Sequence, residues 1–235
     1  GVSQIDLISS NEEDTVDNLY NNDLDIYDRS KTGIAGISHQ YLIDNSSYTK
    51  FTLAASYVMN SDLIDSISPE TYDPVPYYSQ NFTQTKIAGN FFYKKKFNTK
   101  HNLQIGVRFD EFLVDIIDSI YRSTIDRYIT LTEYDGNTFL LQPYAQYQYR
   151  VSDKMSLNAG LHYQYLGLNG SSSLEPRAGI KYQINEKNAL SFGYGLHSMM
   201  APIATYFKTV EAGVGNYITP NDSIDFVKAH HIVLG

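Results

Sequence analysis

The sequence TFLLQPYAQYQYRV (residues 138–151), the tripeptide SDK (152–154) and the sequence MSLNAGLHYQY (155–165) decide the fold. Apolar side chains occupy every second position in the two longer segments, as at Phe139 in the first and Leu161 in the second. Alternation with period two indicates a β-strand with two unlike faces. A spacer of three residues between two such segments predicts a β-hairpin.

The same pattern recurs along the chain. We expect eight strands in four hairpins, with turns at residues 44–47, 98–102, 152–154 and 185–188, and a ninth strand that begins at Val227. The connections at the other ends are mostly longer and span about residues 62–80, 116–136, 169–173 and 202–226. Tight turns at one end and long loops at the other are typical of membrane barrels, and strands of about 11 to 14 residues cross a bilayer at a tilt. The predicted fold class is therefore all-β, an antiparallel transmembrane β-barrel.

A soluble barrel is the alternative, because alternation does not say which face lies inside. The mean hydropathy of −0.33 is typical of a soluble chain. Three features favour the membrane. The polar face carries Asn, Gln and Ser but few Lys and Glu, many of the 21 tyrosines lie near the two ends of the apolar face, and Lys95 lies close enough to a turn to extend its ammonium group out of lipid.

The strand count predicts a piece of a larger barrel. Single-chain bacterial barrels have even strand numbers, whereas this chain shows about nine, the last of which stops at Gly235. An open sheet edge in lipid would leave backbone groups without hydrogen bonds. We therefore expect a fragment of a larger barrel rather than a closed one.

Charge divides the chain into two regions. Residues 1–30 hold eight acidic residues and one arginine, and thus nearly all of the net charge of −8. We interpret 1–30 as an acidic extracellular loop or strand remnant and 31–235 as a partial barrel. The rest of the chain is nearly neutral, and without a basic face nucleic-acid binding is not expected. The absence of cysteine excludes disulfide bonds and thiolate metal sites.

Two stretches carry a family resemblance. They are LEPRAGI (174–180) with NEK (185–187) and LSFGYGLHS (190–198), and DFVKAHHIVLG (225–235). They resemble the barrel of TonB-dependent outer-membrane receptors, above all the Bacteroidetes-type members with a carboxypeptidase-regulatory-like domain. The chain corresponds to a middle section of that barrel.

The resemblance implies a 22-stranded barrel in the bacterial outer membrane, filled by an N-terminal plug. Such a receptor imports a scarce ligand, such as a siderophore or a glycan, into the periplasm with energy passed on by TonB. The implied partners are outer-membrane lipid, the protein's own plug domain, the TonB complex and a surface lipoprotein. A soluble or adhesin-like binding module is the alternative function.

No catalytic, metal or cofactor site is predicted. The acid pairs Asp110/Glu111 and Asp115/Asp118 lie where a strand runs into a loop, a place where solvated acids are common. His230 and His231 are adjacent and would face opposite sides of a strand. His197, Met199 and Met200 are ligand types for haem or copper, but we interpret them as ordinary residues at a strand end. The protein is not expected to be an enzyme.

Ligand contact is expected in the loops, where aromatic rings could stack on a sugar or an aromatic siderophore. The candidate aromatic residues are Tyr72, Tyr77, Tyr78, Tyr206, Phe207 and Tyr217. Arg108 and Arg177 lie on the polar face of their strands and are candidates for lining the lumen or pairing with carboxylates of the plug. Packing within the loops is the alternative role for the aromatic residues.

Overall fold

The computed structural model describes residues 2–7, 24–213 and 215–235. Within them lie a large antiparallel sheet of ten strands, a small sheet of two strands and one short helix. The elements are β1 (Val2–Leu7), β2 (Leu24–Asp44), β3 (Ser47–Ile67), β4 (Pro74–Lys96), β5 (His101–Arg122), β6 (Arg127–Arg150), β7 (Met155–Leu166), β8 (Ser172–Gln183), β9 (Ala189–Met199), α1 (Ile203–Phe207), β10 (Val210–Gly213), β11 (Asn216–Ile218) and β12 (Val227–Leu234).

The large sheet is a meander in which each strand pairs with its neighbours in the chain. Its order is β1 to β9 followed by β12, which pairs with β9 once the chain has passed through α1, β10 and β11. The four predicted hairpins and the strand at Val227 are confirmed. β1 is an additional strand, which pairs with the start of β2 from Val2 opposite Lys31 to Leu7 opposite Ile26.

The strands on one side of the sheet are much longer than predicted. β2 to β6 have 21 to 24 residues each, whereas β7, β8 and β9 have 11 or 12. The predicted loops at about 62–80 and 116–136 are wrong for most of their length, because β3 continues to Ile67 and β5 continues to Arg122. Tight turns remain between the long strands, with Tyr72 and Asp126 at positive φ.

The pairing register separates two faces. Ser38, Thr52, Asn90, Arg108 and Gln142 lie opposite one another across β2 to β6 and form a polar row on what we call the inner face. The neighbouring row on the outer face is apolar and includes Phe109 and Leu141. Large apolar side chains of the outer face are exposed, such as Ile105 at 45% and Phe192 at 46%. The predicted sorting of the two faces is therefore confirmed.

The apolar outer face ends where charged residues appear on it. On β5, Leu103, Ile105, Val107 and Phe109 are followed on the same face by Glu111. Such a charge is costly in lipid, so a sheet of this kind inserted in a membrane would leave it near this level. We call the part of β2 to β6 beyond it the strand extension, which comprises residues 24–31, 60–67, 74–82, 112–122 and 127–137.

The segment between β9 and β12 covers the inner face of the strand extension. We call residues 200–213 and 215–226 the covering loop. A buried apolar cluster joins this loop to the strands and consists of Phe112, Val114, Ile116, Leu140, Leu166, Ile203, Tyr206 and Phe226. The predicted long connection at 202–226 is thus folded back against the sheet. In the described part of the chain, no helix has the length and apolar character needed to cross a membrane.

Candidate ligand site

The predicted ligand-binding aromatic residues lie in different environments. Tyr72 is exposed in the turn between β3 and β4. Tyr77 and Tyr78 are in strand β4 rather than in a loop, so their predicted location is wrong. Tyr77 is exposed, whereas Tyr78 is half-buried on the inner face opposite Ile120. Only Tyr78 of these three faces the covering loop.

The aromatic residues of the covering loop mostly serve packing. Tyr206 is 1% exposed in the apolar cluster, and its hydroxyl accepts a hydrogen bond from the Ala201 backbone N–H at 3.2 Å. Phe207 stacks on Tyr134 with 3.7 Å between ring centroids. Tyr206 is therefore enclosed and has no free face for a ligand, whereas Phe207 is half-buried. Tyr217 is half-buried in β11, opposite Glu211.

A cavity of about 300 Å³ lies between the covering loop and the inner face of the strand extension. Its polar lining residues are Gln80, Asp118, Thr132, Thr205, Lys208 and Asn221, and its apolar ones are Ile116 and Ala204. The strand residues meet because Gln80 lies opposite Asp118, and Asp118 lies opposite Thr132. One predicted candidate, Tyr78, lies beside the cavity, since the Lys208 ammonium is 6.0 Å from its ring centroid.

Asp118 is the buried charge of this cavity. The residue is 2% exposed, and its Oδ2 accepts a hydrogen bond from Lys208 Nζ at 2.7 Å. Its other oxygen, Oδ1, is buried and accepts no hydrogen bond. The Tyr78 hydroxyl lies close to Asp118, and burial together with this carboxylate raises the pKa of Tyr78, but its proton is donated to Gln80 Oε1 at 2.8 Å. The expectation that Asp118 is a solvated acid is wrong, because it follows Val114 and Ile116 on the covered inner face. That spacing of two residues was the sequence signal for its burial.

Asp28 and Asp62 continue the same row of inner-face residues. Asp62 lies opposite Gln80 on one side and opposite Asp28 on the other. Burial and the neighbouring Asp28 carboxylate raise the pKa of Asp62 to about 6. Neither aspartate forms an ion pair with any basic residue that the structure describes. The wall next to the cavity is therefore acidic.

The two candidate arginines lie on the inner face within the membrane-spanning part of the sheet. Arg108 is exposed and pairs with Asp110 at 3.1 Å. Arg177 pairs with Glu175 at 2.6 Å and lines an open depression of about 420 Å³ together with polar residues such as Gln104 and Asn158. Side chains that would face the interior of a closed barrel therefore present hydrogen-bonding groups.

Glu175 is 1% exposed and organises this region. It accepts hydrogen bonds from His162 Nδ1 at 3.0 Å, Gln164 Nε2 at 2.5 Å, Ser198 Oγ at 2.5 Å and Arg177 Nη2 at 2.6 Å. A carboxylate with this many donors is well compensated for its burial. Sequence reasoning missed Glu175, although its alternation with Leu174 and Pro176 placed it on the polar face.

The histidines near the end of the chain are held by aromatic neighbours. His230 Nδ1 lies 3.0 Å from the Tyr194 hydroxyl, and His231 packs edge-on against His197 with 4.9 Å between ring centroids. The register places His230 and His231 on opposite faces, as predicted. Among the described residues, no three His, Cys, Asp or Glu side chains are grouped closely enough to hold a metal ion.

Comparison with known proteins gives one family and a structural neighbour. A family model described as "TonB dependent receptor-like, beta-barrel" matches residues 4–225. The chain is also similar to a chain in the solved "Structure of the RagAB peptide importer in the 'closed-closed' state", with a TM-score of 0.51 and 12% sequence identity. The alignment covers 90% of this chain and 28% of that chain. Such low identity shows the fold alone. Comparison with curated proteins gave no match.

Proposed function

Because the chain belongs to the TonB-dependent receptor-like β-barrel family, we propose that it is a section of an importer that takes a scarce ligand across the outer membrane. The family assignment confirms the predicted family, the antiparallel membrane-barrel class and the outer-membrane location. It also confirms that the protein is not an enzyme, since these receptors are transport proteins. The Bacteroidetes-type subgroup and the carboxypeptidase-regulatory-like domain stay predictions.

The observation that supports membrane insertion best is the contrast between the two faces of the sheet. Exposed apolar side chains such as Phe91 and Ile105 form the outer face, and a polar row through Arg108 and Gln142 forms the inner one. A soluble barrel would bury its apolar face instead. The soluble or adhesin-like alternative therefore has little support.

The chain corresponds to 28% of the length of its structural neighbour, so the activity of the whole receptor is part of the proposal. We propose that the remaining strands close the barrel, that a plug fills it and that TonB drives transport. Arg108 and Arg177 then face the plug or the lumen. A surface lipoprotein is a further proposed partner.

The ligand is proposed only as a class. Siderophores and glycans remain candidates, and peptides join them because the structural neighbour is described as a peptide importer. Tyr72, Tyr77 and Tyr217 are proposed as accessory contacts at the extracellular end. Tyr78 is the stronger candidate, because it lies beside the polar cavity.

We also propose that residues 1–30 belong to the extracellular side. β1 pairs with residues 26–31, which lie in the strand extension beyond the membrane. The acidic residues between β1 and β2 lie outside the described part of the chain. Their location remains a proposal drawn from the strands on either side.

Uptake by cells tests the proposed function. The full-length gene is expressed in a host that lacks it, with TonB either intact or deleted, and growth is scored on limiting iron complexes, oligosaccharides or peptides. We expect one class of compound to support growth only when both the receptor and TonB are present. Growth that does not depend on the receptor for any class, or recovery of the receptor in the soluble fraction, would contradict the proposal.

A further inference from the structure

The cavity under the covering loop contains an acceptor that lacks a donor. Oδ1 of Asp118 is buried without a hydrogen bond, although the other oxygen of the same carboxylate is bound by Lys208. A buried carboxylate oxygen without a donor is unfavourable. The oxygen belongs to a residue that lines a cavity of about 300 Å³. A ligand with a hydrogen-bond donor in this cavity would supply the hydrogen bond that Asp118 Oδ1 lacks.

The shape and lining of the cavity restrict that ligand. Ile116 and Ala204 offer a small apolar surface for an aliphatic or ring carbon stem, and Gln80, Thr132 and Asn221 offer further polar contacts. The volume suits a single functional group with a short stem rather than a whole large cargo. The site is therefore a subsite that would hold one end or one residue of a ligand.

Charge indicates which donor is preferred. Lys208 balances Asp118, but Asp62 lies opposite the lining residue Gln80, and Asp28 lies opposite Asp62. These two carboxyl groups have no basic partner among the described residues. The wall thus attracts a cation more strongly than a neutral hydroxyl group, and repels an anion.

We propose that this cavity is a binding subsite for a primary ammonium group of the imported ligand, which donates to Asp118 Oδ1. The inference rests on the proposed import function and narrows the class of ligand. An alkylamine chain and an amino sugar both carry this group. In either case the Lys208 ammonium is a competitor for the same carboxylate.

Competition by Lys208 makes the proposal testable through two substitutions with opposite effects. Asp118→Asn removes the charge that the ligand binds, so affinity for an amine falls about tenfold or more. Lys208→Met removes the internal competitor, so affinity for the same amine rises about threefold or more. If Asp118 and Lys208 only fastened the covering loop to the sheet, both substitutions would weaken binding together.

The experiment uses the purified full-length receptor in detergent and measures binding by calorimetry. The probes are n-pentylamine against 1-pentanol and glucosamine against glucose, so that each pair isolates the ammonium group and the two pairs separate alkyl from sugar sources. Lys154→Met, in the exposed turn between β6 and β7, is the matched control and leaves affinity unchanged.

Tighter amine binding in Lys208→Met, together with weaker binding in Asp118→Asn, supports the subsite. The proposal is overturned if each neutral compound binds as well as its amine, or if Lys208→Met weakens amine binding. Because this assay needs no TonB, its result is independent of uptake. Amine binding without any TonB-dependent growth would contradict the proposed transport function but would still support the subsite.

Discussion

Glu175 and Arg177 lie two residues apart on the inner face of β8, and Arg177 Nη2 donates a hydrogen bond to Glu175 Oε2 at 2.6 Å. The carboxylate is almost fully buried, whereas the guanidinium side chain is 38% exposed. Glu175 is further fixed by donors from β7 and β9. The buried carboxylate therefore fixes the arginine on the inner face, which we propose faces a plug.

Glu175→Gln tests this arrangement. The substitution removes the charge and turns an N–H toward groups that already donate, so we expect a loss of about 1 to 3 kcal/mol in the free energy of unfolding. Unfolding of the full-length receptor by urea in lipid vesicles measures the loss. Glu186→Gln in the exposed turn after β8 is the control and should change stability by less than about 0.5 kcal/mol. Equal stability of both variants would show that the network has no structural role.

The lipid-facing side of the sheet can be tested by single cysteines, because the chain has none of its own. Ile105 and Gln104 are adjacent on β5, and they lie on the outer and the inner face, respectively. Ile105→Cys should react with a lipid-soluble thiol reagent in membranes, whereas Gln104→Cys should react only with a water-soluble one. Preferential lipid-phase labelling at Gln104→Cys would reverse the assignment of the two faces.

Sequence periodicity predicted the membrane part of the sheet well, because lipid on one face requires apolar and polar side chains to alternate in every strand. This requirement ends in the strand extension. Val114 and Ile116 are buried on the inner face, while Leu113 and Ile117 are 44% and 43% exposed on the outer one, so alternation is lost. A strand without alternation has the sequence pattern of a loop, so the predicted strands are shorter than the observed ones.

The candidate site depended on contacts that no local pattern reports. Lys208 and Asp118 are 90 residues apart in the chain. Tyr206 and Tyr72 both belong to segments that were predicted as loops, yet one is buried in a cluster and the other is exposed. Composition could identify these segments as aromatic-rich but could not say which rings would pack against β5 and β6.

Tyr206→Ala should release the covering loop. The ring is 1% exposed in the apolar cluster, and truncation of a buried aromatic residue typically costs about 3 to 5 kcal/mol. Strand β8 contributes no residue to this cluster, so the loss of stability should not reach it. We expect faster amide hydrogen exchange in residues 200–213 and 215–226 with no change in β8. Tyr217→Ala, in the same loop but outside the cluster, is the control. Unchanged exchange in the Tyr206 variant would mean that other contacts hold the loop.

Asp62 should give the strand extension a pH dependence. Its carboxyl group faces Asp28 on β2 and Gln80 on β4, with Tyr78 on β4 and the Asp118–Lys208 pair nearby. Burial, followed by the effect of Asp28, raises its pKa from 3.8 to about 6. The folded state therefore holds this proton between about pH 4 and 6, where the unfolded state has lost it.

A raised carboxyl pKa means that the contribution of Asp62 to stability is fully present below about pH 4 and is lost as the pH rises through about 6. Asp62→Asn should abolish this pH dependence of stability. Asp28→Asn should only reduce it, because burial still raises the pKa of Asp62. The measurement is the difference in melting temperature between each variant and the wild type, taken from pH 4 to 8 on the full-length receptor. Asp153→Asn, in the exposed turn after β6, serves as the control for the general loss of a carboxylate. If the difference between Asp62→Asn and the wild type does not change with pH, then the pKa of Asp62 is not raised and the acidic wall beside the cavity is solvated.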